Sequence, residues 1–427
     1  MHIYFSGIGG AGLAGLAQLA QDRGYEVTGS DLESNRNTKL LSERGIKVHI
    51  GQTAAEIAKS HQRRPIDWLV ATSALPNDHP ELQFAYDNAI RISKRDQLIN
   101  HILNEKKLKL IAVSGTHGKT TTTAMLVWLF KQLNQPLSYI VGTNLSFGAS
   151  GQYQAGSEYF VFEADEFDRN FLAFRPYASV IPALEYDHSD TYPTVRSYEA
   201  AFMKFISQSH CTYTWEDVAK QLALENNSCL HIVKPDSELL EQITLMGKQN
   251  RQNGTLSVEV MKDLTNQDDH LLLTALNKFP GSERRMEKLA DNLYSDYAHL
   301  PAEIRVVIQM AGEISKNIIV VYQPHQNIRQ HEIQNKYGDA FKLAKKVYWL
   351  PTYLSREDPK LKVLAPPELV SRTDLDTQTK TEIAEMNDEL AAKIKQHMKA
   401  GDTVIVMGAG SIDEWARKSI NHENNSN

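Results

Sequence analysis

A chain of 427 residues is too long for one ordinary hydrophobic core, so two or three domains are expected. A hydrophobic fraction of 41%, a charged fraction of 23% and a net charge of −6 indicate a water-soluble globular protein and argue against a nucleic-acid partner. No apolar run has the roughly 18 residues of a membrane span, and no signal-peptide pattern is visible, so a cytoplasmic protein without a membrane partner is predicted.

The chain opens with a predicted site for a diphosphate. A short apolar strand at 3–5 is followed by Gly7, Gly9 and Gly12 in the pattern G-x-G-x-x-G, then by an Ala- and Leu-rich helix and a strand that ends at Asp31. Gly7 permits a tight turn, Gly9 lets the backbone approach phosphates, and Gly12 lets the helix pack closely. NAD and a UDP-sugar both carry a diphosphate, so both ligands stay open, as does a glycine turn that binds nothing.

A second phosphate site is predicted where the strand 108–113 enters the stretch GTHGKTTTT. Backbone N–H groups of this loop would surround the phosphates, Lys119 would reach the terminal ones, and the Thr120 hydroxyl could bind Mg²⁺. The common loop pattern has a glycine where Val113 stands, and a Gly-Lys turn without a ligand is the alternative. Two separate phosphate sites favour ATP plus a second nucleotide-bearing substrate over a dehydrogenase.

Acidic side chains follow two predicted strands of the central block. Alternation along the stretch FEADEFD puts Glu163 and Asp165 on one face of a strand. Carboxylates beside a triphosphate require a cation between them, so Thr120 and Glu163 are predicted ligands of Mg²⁺. His188, in EYDHSD, is either a further ligand or a loop histidine that only forms hydrogen bonds.

Strands that alternate with helices throughout predict parallel sheets in three blocks, 1–107, 108–280 and 281–427. The stretch 209–269 is the least regular part of the pattern. Cys211 and Cys229 have no metal-binding spacing and no disulfide framework, so they are interpreted as reduced thiols.

The motifs GIGGAG with GSD, TSALP, GTHGKTTT, EADE, DH, ERRME, SDYAHLP, YQPH and VMGAGS occur in this order over nearly the whole chain. Together they resemble the Mur ligase family, ATP-dependent enzymes that form amide bonds in peptidoglycan synthesis. The resemblance implies an α/β protein of three domains. A Rossmann-like domain (1–107) would bind a UDP-sugar, a P-loop ATPase-type parallel sheet (108–280) would bind ATP, and a second Rossmann-like domain (281–427) would bring the amino acid.

The resemblance also implies sets of ligand-binding residues. The UDP-sugar set is Gly9, Gly10, Ala11, Gly12, Asp31 and Ser73. The ATP set is Gly115, Thr116, His117, Gly118, Lys119, Thr120, Thr121, Asn250, Asn253, Arg285 and Asp296. The amino-acid set is His299, His325 and Arg329, the predicted catalytic residues are Lys119, Glu163, His188 and Arg285, and the predicted metal ligands are Thr120, Glu163 and His188.

Plainer interpretations of several of these residues stay open. Asn250 and Asn253 could form a polar turn, Asp31 could cap a helix or turn, and Ser73 could be an ordinary turn serine. The two arginines of ERRME, Arg284 and Arg285, could be surface charges.

Within the family, the motifs are most similar to the member that adds L-alanine to the lactyl carboxylate of UDP-N-acetylmuramate. By resemblance, that carboxylate attacks the γ-phosphorus of ATP, and the amino group then displaces phosphate from the acyl phosphate; His188 and His299 are candidate bases. Attachment of a whole murein peptide, an NAD-dependent dehydrogenase, and a degenerate nucleotide-sugar-binding protein are the alternatives. Departures from the family pattern at Gln249, Leu300 and Gln326 motivate the last one. A monomer or weak homodimer is expected.

Overall fold

The computed structural model describes residues 1–73, 75–187, 191–224, 229–355 and 357–420. Its strands form three sheets of five, seven and six strands, which confirms the predicted α/β class. The first two sheets belong to one compact unit, Met1–Leu245 with Gln249–Pro280, and the third belongs to another, Met246–Lys248 with Gly281–Asn427. Among the described residues, no helix is both long and apolar enough to cross a lipid bilayer.

The first sheet is entirely parallel, with strand order β3-β2-β1-β4-β5. Its strands are β1 His2–Ser6, β2 Glu26–Asp31, β3 Lys47–Ile50, β4 Trp68–Ala71 and β5 Arg91–Ser93. Its helices are α1 Ala11–Asp22, α2 Arg36–Glu43, α3 Ala54–Arg63, α4 Pro80–Asp87 and α5 Arg95–Lys106. The strand order reverses beside β1, and in sheets of this kind ligands bind at the carboxyl ends of the strands at that point.

The second sheet has the order β12-β11-β10-β6-β9-β7-β8, and only its edge strand β8 is antiparallel to its neighbour. Its strands are β6 Lys109–Val113, β7 Leu137–Ile140, β8 Gly151–Gln152, β9 Tyr159–Glu163, β10 Ala178–Ile181, β11 Cys211–Trp215 and β12 Leu230–Val233. Its helices are α6 Lys119–Gln132, α7 Val195–Ser207, α8 Glu216–Gln221, α9 Glu238–Gln242, α10 Lys248–Thr265 and α11 Asp269–Leu276, with a 3₁₀ helix at Phe167–Ala173. Strands β6 and β9, both buried, carry the candidate site at their carboxyl ends.

The third sheet has the order β13-β14-β18-β15-β16-β17, with β13 antiparallel to β14 and the other pairs parallel. Its strands are β13 Glu287–Ala290, β14 Leu293–Asp296, β15 Ile318–Tyr322, β16 Lys346–Trp349, β17 Thr381–Ile383 and β18 Thr403–Met407. Its helices are α12 Pro301–Ala311, α13 Asn327–Ile333, α14 Pro366–Val370, α15 Leu375–Thr379, α16 Asp388–Lys399 and α17 Ile412–Ser419, with a 3₁₀ turn at Gln334–Lys336.

The first two sheets are joined by a close approach of helix α1 to strand β8. A Cβ atom on Gly15 would lie 2.8 Å from the Ser150 carbonyl oxygen. The neighbouring Gln18 side chain accepts hydrogen bonds from the Ser150 hydroxyl (3.3 Å) and the Gly151 amide (3.2 Å). Close packing of this helix was expected at Gly12, and Gly15, one helical turn later, is a further position of close approach.

The prediction that both cysteines are reduced thiols is wrong for this structure. Cys211 opens β11, Cys229 immediately precedes β12, and the two form a disulfide with their Cα atoms 4.7 Å apart. Because Thr212 pairs with Leu230 in the ladder, the residues before them are neighbours as well. Spacing along the chain could not reveal this, since the cysteines are brought together by strand pairing.

A buried carboxylate links the first sheet to helix α4. Glu81 is fully buried and accepts hydrogen bonds from the hydroxyl groups of Tyr4 (2.8 Å), Ser30 (2.8 Å) and Ser6. Three donors from two neighbouring strands replace the water that this carboxylate loses on burial.

We expect Glu81→Ala to lower the free energy of unfolding by about 3 kcal/mol, because three buried hydroxyl groups lose their acceptor and a cavity remains. Chemical denaturation of the full chain measures the change. Glu43→Ala, at an exposed position of α2, is the matched control, with an expected change within about 0.5 kcal/mol. Equal stabilities of the two variants would contradict this account of Glu81.

Candidate active site

The glycine loop after β1 leads directly into the first turn of α1. Gly7 has a φ of +83°, a conformation that favours glycine, and its amide donates to the Ser30 carbonyl oxygen at 2.9 Å. The Gly9 amide donates to Oδ2 of Asp31 at 2.8 Å. Gly10 is the N-cap of α1, so no side chain caps this helix N-terminus. The Gly7 and Gly9 amides therefore donate within the fold, and Asp31 is held against the loop at the start of α1.

A cavity of about 180 Å³ lies beside this loop, between the first and second sheets of the same compact unit. Two basic side chains at the start of α5, Lys94 and Arg95, line the cavity. The Arg95 guanidinium lies 3.8 Å from the Asp165 carboxylate, and the Lys94 ammonium lies 3.0 Å from the Asp168 carboxylate. A Cβ atom on Gly12 would lie 2.8 Å from the Arg95 guanidinium, so glycine leaves room for that side chain. The lining residues are Gly10, Gly12, Leu13, Ala71, Thr72, Ser73, Lys94, Arg95, Asp165, Phe167 and Asn170.

Of the predicted UDP-sugar set, Gly10, Gly12 and Ser73 line this cavity; Ala11 is the first residue of α1. Lys94 and Arg95 were missed by the sequence analysis. The signal was present in the stretch RISKRDQ, where a basic pair follows a strand and begins a helix.

The phosphate loop of the second sheet runs from β6 into α6. Gly115 has a φ of +134° and Gly118 a φ of +84°. A Cβ atom on Gly115 would lie 2.6 Å from the Ala183 carbonyl oxygen, and one on Gly118 would lie 2.6 Å from Oδ1 of Asn253. Glycine is thus required at both positions, and Asn253 is brought against the loop from α10.

Lys119 is held inside this loop by a buried ion pair. Its Nζ atom donates to the Gly115 carbonyl oxygen at 2.6 Å and to Oε1 of Glu166 at 2.9 Å, and Glu166 is fully buried. Burial opposes the charged ammonium, but the carboxylates of Glu166, Asp165 and Glu163 outweigh it, so the pKa of Lys119 is raised above its ordinary value. The loop therefore holds a permanent positive charge. Glu166 as the partner of Lys119 was not predicted.

Thr120 and Glu163 form the candidate metal site. The Thr120 hydroxyl lies 3.0 Å from both carboxylate oxygens of Glu163, and the Gly142 amide donates to Oε2 at 3.2 Å. A hydroxyl and a carboxylate are oxygen ligands of the kind that Mg²⁺ prefers, so the donor set fits this ion. The third predicted ligand, His188, lies outside the described residues.

The expectation that Glu163 and Asp165 share a strand face is wrong. Strand β9 ends at Glu163, so alternation does not extend to Asp165. Glu163 points to Thr120 in the phosphate loop, whereas Asp165 lines the cavity beside Arg95. The segment 163–166 therefore supplies carboxylates to both the cavity and the phosphate loop.

Two other residues of the loop anchor it to the segment after β10. The Thr116 hydroxyl donates to the Glu185 carbonyl oxygen at 2.6 Å and accepts from the Glu185 amide at 2.8 Å. His117 Nε2 lies 3.5 Å from the Glu185 carboxylate. Thr121 is buried in the first turn of α6. The Thr116 side chain therefore shapes the loop in this structure.

The interpretation of Asn250 and Asn253 as a polar turn is wrong, because both belong to the 18-residue helix α10. Asn253 is buried, and Gln249 occupies the first turn of this helix. Glycine at position 254 has a packing reason. A Cβ atom there would lie 2.8 Å from Leu276, so glycine lets α10 approach α11.

The second compact unit holds the acid Asp296 at the end of β14. Its oxygens accept hydrogen bonds from the amides of Ala298 and Met286, both at 2.8 Å. Burial raises the pKa of Asp296 to about 6, although the nearby Arg285 opposes the shift. Arg284, interpreted as a possible surface charge, instead donates to the carbonyl oxygens of Gly408 and Gly410.

The predicted amino-acid set comes together in this unit. Nε2 of His299 lies 2.6 Å from Nη1 of Arg329, and the His299 and His325 rings are 5.7 Å apart. Nδ1 of His299 lies 3.1 Å from the Tyr297 carbonyl oxygen, so Nδ1 carries the proton and Nε2 accepts from Arg329. Burial lowers the pKa of His299, and burial with the neighbouring His299 and Arg329 lowers the pKa of His325 to about 4.

These shifts predict a loss of stability in acid. His325 has a pKa of about 4 in the folded chain and about 6.5 when unfolded, so its stabilising contribution is complete above pH 6.5 and is lost as the pH falls toward 4. We expect His325→Gln to lose less stability than the wild type when denaturation is compared at about pH 7 and about pH 5. Equal losses would contradict the lowered pKa of His325.

The fold and the two loops define a class: a nucleotide-dependent α/β enzyme with a glycine-loop sheet, a P-loop sheet and a third sheet. Residues 2–107 match the family model described as Mur ligase family, catalytic domain, residues 113–233 match Mur ligase middle domain, and residues 284–410 match Mur ligase, glutamate ligase domain.

The chain is similar to proteins named UDP-N-acetylmuramate–L-alanine ligase. That of Syntrophomonas wolfei is 30% identical, covering 96% of this chain and 94% of the relative, and that of Rubrobacter xylanophilus is 30% identical, covering 96% and 98%. The crystal structure of the UDP-N-acetylmuramate–alanine ligase of Thermotoga maritima has the same fold, with a TM-score of 0.81 at 24% identity and full coverage of both chains. A murein peptide ligase of Psychrobacter arcticus gives a TM-score of 0.68 at 20% identity, covering 100% of this chain and 99% of the other.

The chain belongs to the Mur ligase family, and it is an ATP-dependent ligase. The dehydrogenase hypothesis is therefore wrong, and the predicted family is confirmed.

Proposed function

We propose that this enzyme joins L-alanine to the lactyl carboxylate of UDP-N-acetylmuramate, using ATP and Mg²⁺, in the cytoplasm and as a monomer or weak homodimer. The segment 163–166 carries the proposal. Glu163 contacts Thr120 and Glu166 contacts Lys119 in the phosphate loop, while Asp165 lines the cavity beside the glycine loop. One short segment thus adjoins both proposed nucleotide sites, as transfer of phosphate from one substrate to the other requires.

In this mechanism the lactyl carboxylate attacks the γ-phosphorus, which gives an acyl phosphate, and the amino group of alanine then displaces phosphate. Two anions meet in the first step, so Lys119 stabilises the charge that develops on the transferred group. Thr120 and Glu163 would hold Mg²⁺, which neutralises phosphate charge when bound. No side chain acts as a nucleophile, and the cavity residues orient the sugar nucleotide.

Arg285, Asp296, Asn250 and Asn253 are proposed to contact ATP, as are the loop residues from Gly115 to Thr121. His299, His325 and Arg329 are proposed to bind the amino acid. The cationic Arg329, held beside a neutral His299, suits an amino acid, because its guanidinium can bind the amino-acid carboxylate.

Phosphate release tests the proposal. We expect release only when ATP, UDP-N-acetylmuramate and an amino acid are all present, with kcat/KM highest for L-alanine in a panel that also holds glycine, L-serine and a murein tripeptide. If the tripeptide were the only acceptor that supported turnover, the enzyme would instead be a murein peptide ligase. Absence of turnover with every acceptor would favour the degenerate nucleotide-sugar-binding protein.

A further inference from the structure

Two cysteines and a histidine share one face at the edge of the second sheet. Tyr213 of β11 pairs with His231 of the edge strand β12, and Cys211 and Cys229 lie two residues before them. Side chains two residues apart on a strand point the same way, so the four side chains form one patch. One ligand atom from each of Cys211, Cys229 and His231 lies within 4.8 Å of the others.

The imidazole of His231 is held in a fixed orientation. Its Nδ1 atom lies 3.1 Å from Oδ2 of Asp263, and the Tyr213 hydroxyl donates to the same oxygen at 3.0 Å. The ring stacks on Tyr213, with centroids 4.4 Å apart and planes 15° apart. With Nδ1 protonated toward the carboxylate, the lone pair of Nε2 is available on the side of Cys229, whose sulfur is 3.7 Å away.

We propose that this patch, Cys211, Cys229 and His231 with Asp263 behind the histidine, is a binding site for Zn²⁺ when the two cysteines are reduced. Two thiolates and an imidazole suit this ion, and a carboxylate bound to the other imidazole nitrogen is the usual support of a histidine ligand. His231 and Asp263 are each 38% exposed, so water can reach the fourth position. A disulfide alone would need no oriented imidazole.

The disulfide and the metal site exclude each other, because both use the same two sulfur atoms. A dithiol reductant supplies two electrons and two protons, splits the S–S bond and becomes a disulfide itself. Zn²⁺ then binds the two sulfurs and releases their two protons. Either state ties the edge strand β12 to β11.

The test uses Co²⁺ as a spectroscopic substitute for Zn²⁺, added to the full chain after reduction by dithiothreitol and anaerobic removal of the reductant. We expect one Co²⁺ per chain, sulfur-to-cobalt charge-transfer absorption, and displacement of the colour by one equivalent of Zn²⁺. The oxidised wild type should show none of these signals. Asp263→Asn should weaken Zn²⁺ binding by about tenfold or more without abolishing it.

Cys229→Ser and His231→Asn should lose the cobalt spectrum, whereas His270→Asn, at an exposed position of α11, should keep it. Circular dichroism and ligase activity report whether each variant is folded. Reduced wild-type protein that binds no Co²⁺, or a folded His231→Asn variant that binds it as tightly as the wild type, would overturn the proposal. Neither result depends on the identity of the ligase substrates.

Discussion

Lys119→Met is expected to lower kcat for phosphate release by about 10³-fold or more, because it removes the ammonium that stabilises the transferred phosphate in the proposed mechanism. Methionine keeps much of the length of the side chain and its helix propensity at the start of α6. The measurement is steady-state phosphate release with saturating ATP, UDP-N-acetylmuramate and L-alanine.

This variant also removes the positive charge beside the buried carboxylate of Glu166, so its stability is expected to fall. The double variant Lys119→Met/Glu166→Gln removes both charges and should recover stability without recovering turnover. Lys131→Met, at the exposed end of the same helix, should keep turnover near that of the wild type. If Lys119→Met turned over at the wild-type rate, the role proposed for the lysine would be wrong.

Glu163→Gln is expected to lower kcat by about 10²-fold or more and to raise the Mg²⁺ concentration needed for half-maximal activity. The amide keeps an oxygen that can accept from Thr120 or Gly142, so the fold should be retained, but the charge proposed to bind the cation is lost. Turnover measured over a range of Mg²⁺ concentrations distinguishes a metal effect from a general loss of activity.

Glu158→Gln, an exposed position just before β9, is the control for the Glu163 substitution. Its Mg²⁺ dependence should match the wild type. An unchanged Mg²⁺ dependence of Glu163→Gln would mean that Glu163 does not bind the metal.

Patterns of neighbouring residues in the sequence predicted single strands, the phosphate loop and the fold class. Strand β2 was expected to end at Asp31, and it does. The phosphate loop was predicted from Gly118 and Lys119, and Gly118 adopts the positive φ that favours glycine. A confirmed fold class follows from the alternation of such elements along the chain.

The errors concern contacts between residues distant in sequence. The cysteine pair, the Lys119–Glu166 ion pair and the cavity wall formed by Arg95 all depend on which strands are neighbours. Strand order is decided by packing of the whole sheet, which periodicity does not report. Helix α10 was missed for a different reason, since its polar first turns hide the apolar face that begins near Leu256.

The central claim is that a substrate carboxylate is phosphorylated at the loop that holds Lys119. Single turnover with UDP-N-acetylmuramate labelled with ¹⁸O in the lactyl carboxylate tests this claim most directly, with mass spectrometry of the released phosphate. The account predicts that each released phosphate carries one ¹⁸O atom. This oxygen comes from the carboxylate, bridges carbon and phosphorus in the acyl phosphate, and leaves with phosphate when the amine attacks. Phosphate without ¹⁸O, released together with amide product, would contradict it.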